Sequence, residues 1–381
     1  MRMRSMSLAA AVAAIVTVPT AAHAGPEDSW RHVYFLPQST FGDFEAAGSH
    51  EVWHIVQGRL ALWPSVSRWT GGATWQNFAL PGLNSVLLTQ LTDVDAVGPN
   101  EAWVYGYYLT GINPDISVRY LARWDGVKWT RVPAPTPNGS LGILSANAGG
   151  TWFAERDRVF RRDGDAWTHT GTLDGLTREL HTFGPDSALA RTDSGLWRWD
   201  GTNWSKVPGQ WPAAARITGP DSAWYADTGG LHTWDGASWQ TTPYPEPFGD
   251  VSAASAVSES GGLWVATVRN GAEPLLRWRD GAWTYYNTTP YPLKQVIVDG
   301  ADRVWAVERH TRLIPNGGGH TAEHKGRVVR LDPSGLSWNP VSLPDADYRV
   351  ITLPGSDRIY AYGRNGWTGT DHVTTNASPL P

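Results

Sequence analysis

Arg123-Trp124-Asp125-Gly126-Val127-Lys128-Trp129 recurs along the chain with its spacing intact. It returns as Arg198-Trp199-Asp200-Gly201-Thr202-Asn203-Trp204, as Thr233-Trp234-Asp235-Gly236-Ala237-Ser238-Trp239 and as Arg277-Trp278-Arg279-Asp280-Gly281-Ala282-Trp283. Looser copies run over 161–167, 68–75 and 330–338. Asp-Gly between apolar runs supplies the positive φ that a tight strand connection requires. A loop of either two or four residues puts both Trp rings on one sheet face, where they can pack across the strand pair. A Pro four residues past the second Trp, as at Pro133 and Pro208, ends the outer strand.

Upstream of each hairpin lies a second pair of short strands joined by a Gly-Pro-Asn or Gly-Pro-Asp turn, as in 94–104 and 218–225. Others end on Trp53, Trp152, Trp264 and Trp305. Four short strands in about 40 residues make one propeller blade. The outer-strand Trp residues, at 30, 75, 129, 167, 204, 239, 283 and 338, stand 35 to 55 residues apart. The expectation is therefore an all-β propeller of eight blades, with seven as the alternative because the third strand of the last blade, near 371–375, is weakly marked. Trp30 to Pro37 reads as an outer strand with no inner strands before it, and Tyr348 to Gly363 as inner strands with no outer strand after them. Joining the two would close the ring and remove its free edges.

The first 24 residues read as a secretory signal: Arg2 and Arg4, an apolar run from Leu8 to Val18, and Ala22-His23-Ala24 before Gly25. Residues 25–381 are then one propeller domain, expected to be secreted, extracellular and monomeric. The net charge is −5, and subtracting Arg2 and Arg4 leaves −7. No Lys/Arg block stands out, so neither nucleic acid nor an anionic membrane is an expected partner. The chain has no Cys, which excludes disulfides and any cofactor built on a Tyr–Cys crosslink.

The Arg-Trp-Asp-Gly-x-x-Trp and Ala-x-x-Trp-Ala units resemble those of secreted bacterial Trp-rich propeller proteins. The architecture is similar to WD40, kelch and tachylectin-type propellers. The resemblance covers nearly all of residues 25–381. It implies a fold and leaves function open, because propellers carry lectins, hydrolases, lyases, oxidases and docking scaffolds alike.

Of the 23 Trp, 19 occupy repeated strand positions and are expected to pack between blades. Trp197 shares a strand with Trp199 and should pack as well. Trp63, Trp211 and Trp367 fall in connections, where a large ring either packs on a neighbouring loop or serves a ligand. Turns between first and second strands, and between third and fourth, are short. The insertions, 107–119 and 308–326, lie between second and third strands, and other variable segments join successive blades. Both of these connection types emerge on one side of the disk, the expected working face. Its expected ligand-binding residues are Trp63, Tyr107, Tyr108, Trp211, Arg309, His310, His320, His324 and Trp367.

His320-Thr321-Ala322-Glu323-His324 matches the His-x-x-Glu-His zinc-peptidase pattern, which needs a helix to bring both His to one metal. Here Gly317-Gly318-Gly319 precedes it and Gly326 follows, so a loop is expected instead, with His310, His320 and His324 as solvated loop histidines and a looser metal set of the three as the alternative. Asp345-Ala346-Asp347 could hold Ca²⁺ or another divalent ion, and Asp174, Glu179, Glu246, Asp250 and Glu308 are acids on the loop side. No motif fixes a cofactor or catalytic residues. A binding module for a glycan, cell-wall polymer or small molecule leads, ahead of an extracellular hydrolase or lyase at the channel mouth and a protein-docking scaffold.

Overall fold

The structure, a computed structural model, describes residues 31–375 apart from 38, 48–50, 59–63, 71–74, 84–86, 110–116, 140–141, 246–249, 258–261, 269–272, 290, 317–318, 333, 342, 344–345, 353–355, 357 and 365–369. The described residues form eight four-stranded antiparallel sheets and no helix. Blades 1 to 7 each follow chain order from inner to outer strand: 39–79, 87–132, 143–172, 177–206, 216–242, 250–289 and 293–340. Blade 8 takes its three inner strands from 347–375 and its outer strand, Arg31–Pro37, from the other end of the chain. Phe35 pairs with His372 and Leu36 with Asp371. The third strand of this blade, Thr370–Thr375, completes the eighth sheet and removes the seven-blade alternative.

The repeat hairpin explains itself locally. Trp124 lies directly opposite Trp129, Trp199 opposite Trp204, and Trp234 opposite Trp239, each pair separated by a four-residue loop. In that loop the Asp125 carboxylate accepts the backbone N–H groups of Val127 and Lys128 at 2.9 Å each, and Asp200 and Asp235 repeat the pattern. Gly126 has φ +92°, and a Cβ there would come within 3.0 Å of Asn100 in the neighbouring turn of the same blade. Glycine satisfies both conditions at once.

Successive blades interlock through a fixed aromatic contact. The second-strand Trp53 of blade 1 packs edge-on against Trp124 and Trp129 of blade 2, at 5.6 and 5.4 Å. Trp152 of blade 3 meets Trp199 and Trp204 of blade 4 in the same way. Each fully buried ring removes roughly 150–250 Å² from water, so these seams carry much of the core. The Arg that precedes the third-strand Trp stands opposite the second-strand Trp: Arg68 faces Trp53 and Arg123 faces Trp103. Its guanidinium lies over that indole, at 5.1 and 5.7 Å from the ring centre. It also reaches the next blade. Arg68 donates to the Pro99 carbonyl, Arg161 to Pro185 and Arg198 to Pro220, each the Pro of a Gly-Pro turn. The motif's Arg is thus a clamp between blades, a role the sequence pattern alone does not disclose.

Blade 7 differs from the expectation of a loop at 308–326. Its second and third strands, Val304–Asn316 and Gly319–Leu331, stay paired from Trp305 opposite Arg330 out to Asn316 opposite Gly319. The paired strands extend the sheet beyond Glu308 and Arg327 as a long two-stranded arm.

Candidate functional site

Connections between second and third strands, and between blades, share one side of the disk, and the arm of blade 7 rises from that side. At its base Glu308 is fully buried. Its Oε2 accepts Arg327 Nη2 at 2.7 Å, Arg327 Nε at 2.9 Å and His310 Nε2 at 3.2 Å. Its Oε1 is buried without a hydrogen bond. The His310 ring lies against Tyr291, centroids 3.8 Å apart, and the Arg327 guanidinium sits 5.6 Å from the Tyr291 ring centre. Tyr291 belongs to the connection from blade 6, which is tied to the arm by Arg309 N–H donating to the Pro292 carbonyl at 2.7 Å. The Tyr291 side is open, with the residue 40% exposed. A phenol, an imidazole and a guanidinium held on a buried carboxylate can stack on and hydrogen-bond a polar ligand.

His310 and Arg309 are therefore at the arm's base. His320 and His324 are farther out: His320 pairs with Pro315 and His324 with Thr311. Four residues along a strand span about 13 Å, so the His-x-x-Glu-His run lacks the single helical face that zinc-peptidase chemistry requires. That run lies on a strand, where a loop was expected. Among the described residues, no group of three or more His, Asp or Glu is arranged to hold a metal ion. Asp345 lies outside the described residues, and the Asp347 carboxylate accepts Lys294 Nζ at 2.7 Å.

Trp63 and Trp367 lie outside the described residues. Tyr108 is buried, with Arg131 donating to its hydroxyl and lying over its ring. Tyr107 is partly exposed and donates to Gln90 Oε1 at 2.5 Å. Trp211 has a packing partner on each side: its ring meets Trp234 at 5.1 Å and Trp239 at 5.0 Å. Blade 4 carries Leu189, opposite Arg198, where blades 1–3 and 5–7 carry the second-strand Trp. Trp211, from the following connection, fills the space that Leu189 leaves. Among the loop-side acids, hydrogen bonds from His181 and Arg191 hold Glu179 down at about 2, and Asp174 lies 3.7 Å from Lys206.

One cluster has no counterpart in the sequence reading. Asp43 and Glu45 on the inner strand of blade 1, and Asp93 and Asp95 on that of blade 2, gather along the channel wall. Asp43 accepts the backbone N–H of Val94 at 3.2 Å, Glu45 that of Ala96 at 2.6 Å, and Asp95 that of Ala146 in blade 3 at 2.8 Å. Burial raises Glu45 to about 8 and Asp93 to about 7, and it lifts Asp95 well above the usual carboxylate range; the neighbouring acids push in the same direction. The signal was present as Asp43-Phe44-Glu45 and Asp93-Val94-Asp95, acids two apart and so on one strand face.

With this geometry in place, comparison with known proteins bears on the fold. The chain is similar to YCF48 from Cyanidioschyzon merolae, at 17% identity and a TM-score of 0.50, over 91% of this chain and 98% of that one. It is also similar to Porphyromonas gingivalis dipeptidyl peptidase 4, at 9% identity and a TM-score of 0.54, over 91% of this chain and 58% of that one. The likeness is one of fold. No family model and no curated protein matches the sequence.

Proposed function

We propose that this propeller is a secreted binding protein that takes a glycan or cell-wall polymer at the base of the blade 7 arm. One observation carries the reading. Tyr291 is exposed at 40% in a protein whose described Trp rings are committed to blade packing, and it stands beside Arg327 and His310 on a buried Glu308. Sugars present C–H faces to an aromatic ring and hydroxyls to imidazole and guanidinium groups, and this corner offers both kinds of contact, with Glu308 buried beneath to hold the His310 and Arg327 side chains in place. The Ala22-His23-Ala24 site supports export and a mature start at Gly25.

The test pairs a glycan array with retention on insoluble cell wall, using wild type, Tyr291→Ala and Arg327→Ala. Loss of a contact hot spot weakens binding by about tenfold or more. A wild type retained by neither surface, or variants that bind equally well, would overturn the reading. The Glu308–His310 contact supports a second reading, a hydrolase or lyase with His310 as base. Polymer cleavage by wild type that His310→Ala abolishes would select it.

A further inference from the structure

We propose that the inner seam joining blades 1, 2 and 3 is a pH-sensitive joint, locked while its carboxyl groups hold protons and loosened as they ionise. The joint is built from four acids that do two jobs. Asp43, Glu45 and Asp95 each reach from one blade to a backbone N–H on the inner strand of the next. The Asp43 carboxyl group, seated on the Val94 N–H, stands beside Asp93. Carboxyl groups crowded together in this way resist all being ionised at once.

The charges that act on Glu45, Asp93 and Asp95 come from within the set: Asp43 and Asp93 on Glu45, Asp43 on Asp93, and Asp93, Glu45 and Asp43 on Asp95. The strands packed around them bring few titratable groups. The second strand of blade 1 carries His54, fully buried and held neutral by that burial at about 3. The second strand of blade 2 carries Glu101, Tyr105, raised to about 12, Tyr107 and Tyr108. The inner strand of blade 3, Ile143–Asn147, carries none. Blade 8 carries Asp347, Tyr348 and Arg349 on its inner strand and Asp371 and His372 on its third.

Each proton lost goes to water and leaves another negative charge in the seam. A carboxyl group raised in the folded state stabilises the fold fully below its unfolded value, near 4. That contribution shrinks as pH rises and is gone once pH passes the folded values of about 7 and 8. The joint thus weakens from mildly acidic to mildly alkaline conditions.

Wild type supplies its own control. Gln295 bridges blades 7 and 8 in the same manner, accepting Val350 N–H at 3.0 Å and donating to the Val350 carbonyl at 2.7 Å, with no proton to lose. Amide hydrogen exchange of the full-length protein at pH 6 and pH 9, expressed as protection factors, should show Val94, Ala96 and Ala146 losing protection by about tenfold or more while Val350 keeps its own. Glu45→Gln and Asp93→Asn keep an acceptor oxygen, and should flatten the fall in Tm between pH 5 and 9. Equal loss of protection at all four amides overturns the joint, and so do parallel Tm profiles for wild type and both variants.

Discussion

Trp69 and Tyr360 meet edge to face, ring centroids 5.0 Å apart, across the seam where blade 8 closes on blade 1. Tyr360 stands at the second-strand position that Trp53 fills in blade 1, and Trp69 at the third-strand position that Trp124 fills in blade 2. The seam between blades 8 and 1 therefore repeats the contact of the other seams, while the non-covalent closure lies within blade 8, between Arg31–Pro37 and Thr370–Thr375. Tyr360→Ala and Trp69→Ala should each cost about 3–5 kcal/mol, measured by chemical denaturation. Deleting residues 25–37 should remove the outer strand of blade 8, expose the edge of Thr370–Thr375 and lower cooperativity. A truncated protein that melts like the full chain would contradict ring closure.

Arg68 binds both oxygens of Glu51, at 2.9 and 3.0 Å, while reaching the Pro99 carbonyl at 2.8 Å, and both side chains of the pair are largely buried. Arg68→Ala leaves the Glu51 charge buried and should cost about 3–5 kcal/mol. Arg68→Lys keeps the charge but loses the planar fork, so its cost should fall between those of Ala and wild type. Urea denaturation ranks the three proteins, and an Arg68→Lys as unstable as Arg68→Ala would mean that the fork, not the charge, holds the seam.

Trp211→Ala should destabilise by about 2–4 kcal/mol, as a cavity between blades 4 and 5. Leu189→Trp in that background should recover part of the loss, because it restores an aromatic ring at the repeat position. A folded Trp211→Ala with unchanged Tm and weakened ligand binding would assign the ring to a site.

Replacing residues 311–324 with an Asn-Gly turn should leave thermal stability within about 1 kcal/mol of wild type. The core of blade 7 lies in Val304, Ala306, Val307, Val328, Val329 and Leu331, below the arm. Loss of ligand retention with an unchanged melting curve would mark the arm as a docking element; a large drop in Tm would make it part of the fold.

The sequence disclosed the blades because each Asp-Gly hairpin is local: Asp125, Gly126 and the flanking Trp pair settle their geometry within seven residues. It disclosed the ring closure because Arg31–Pro37 had no other partner pattern. Trp211 was opaque for the opposite reason, since its role depends on Leu189 being small, and the two come together only in the folded seam. The acid joint pairs Asp43 with Asp93, fifty positions apart, and alternation within each strand marks the acids without naming their partner. The arm was hidden because Gly317-Gly318-Gly319 reads equally as a loose loop and as a tight turn.

The eighth blade draws its strands from both ends of the chain, and this sets an order of events. Arg31–Pro37 emerges early in synthesis, yet its hydrogen-bonding partner, Thr370–Thr375, arrives hundreds of residues later. Until then the early strand has no ladder, and seven blades wait as an open arc. Pairing so distant in sequence is slow to nucleate. Final closure should therefore be the late, slow phase of folding, and the interval before it the period in which the nascent chain most needs protection from pairing with other copies.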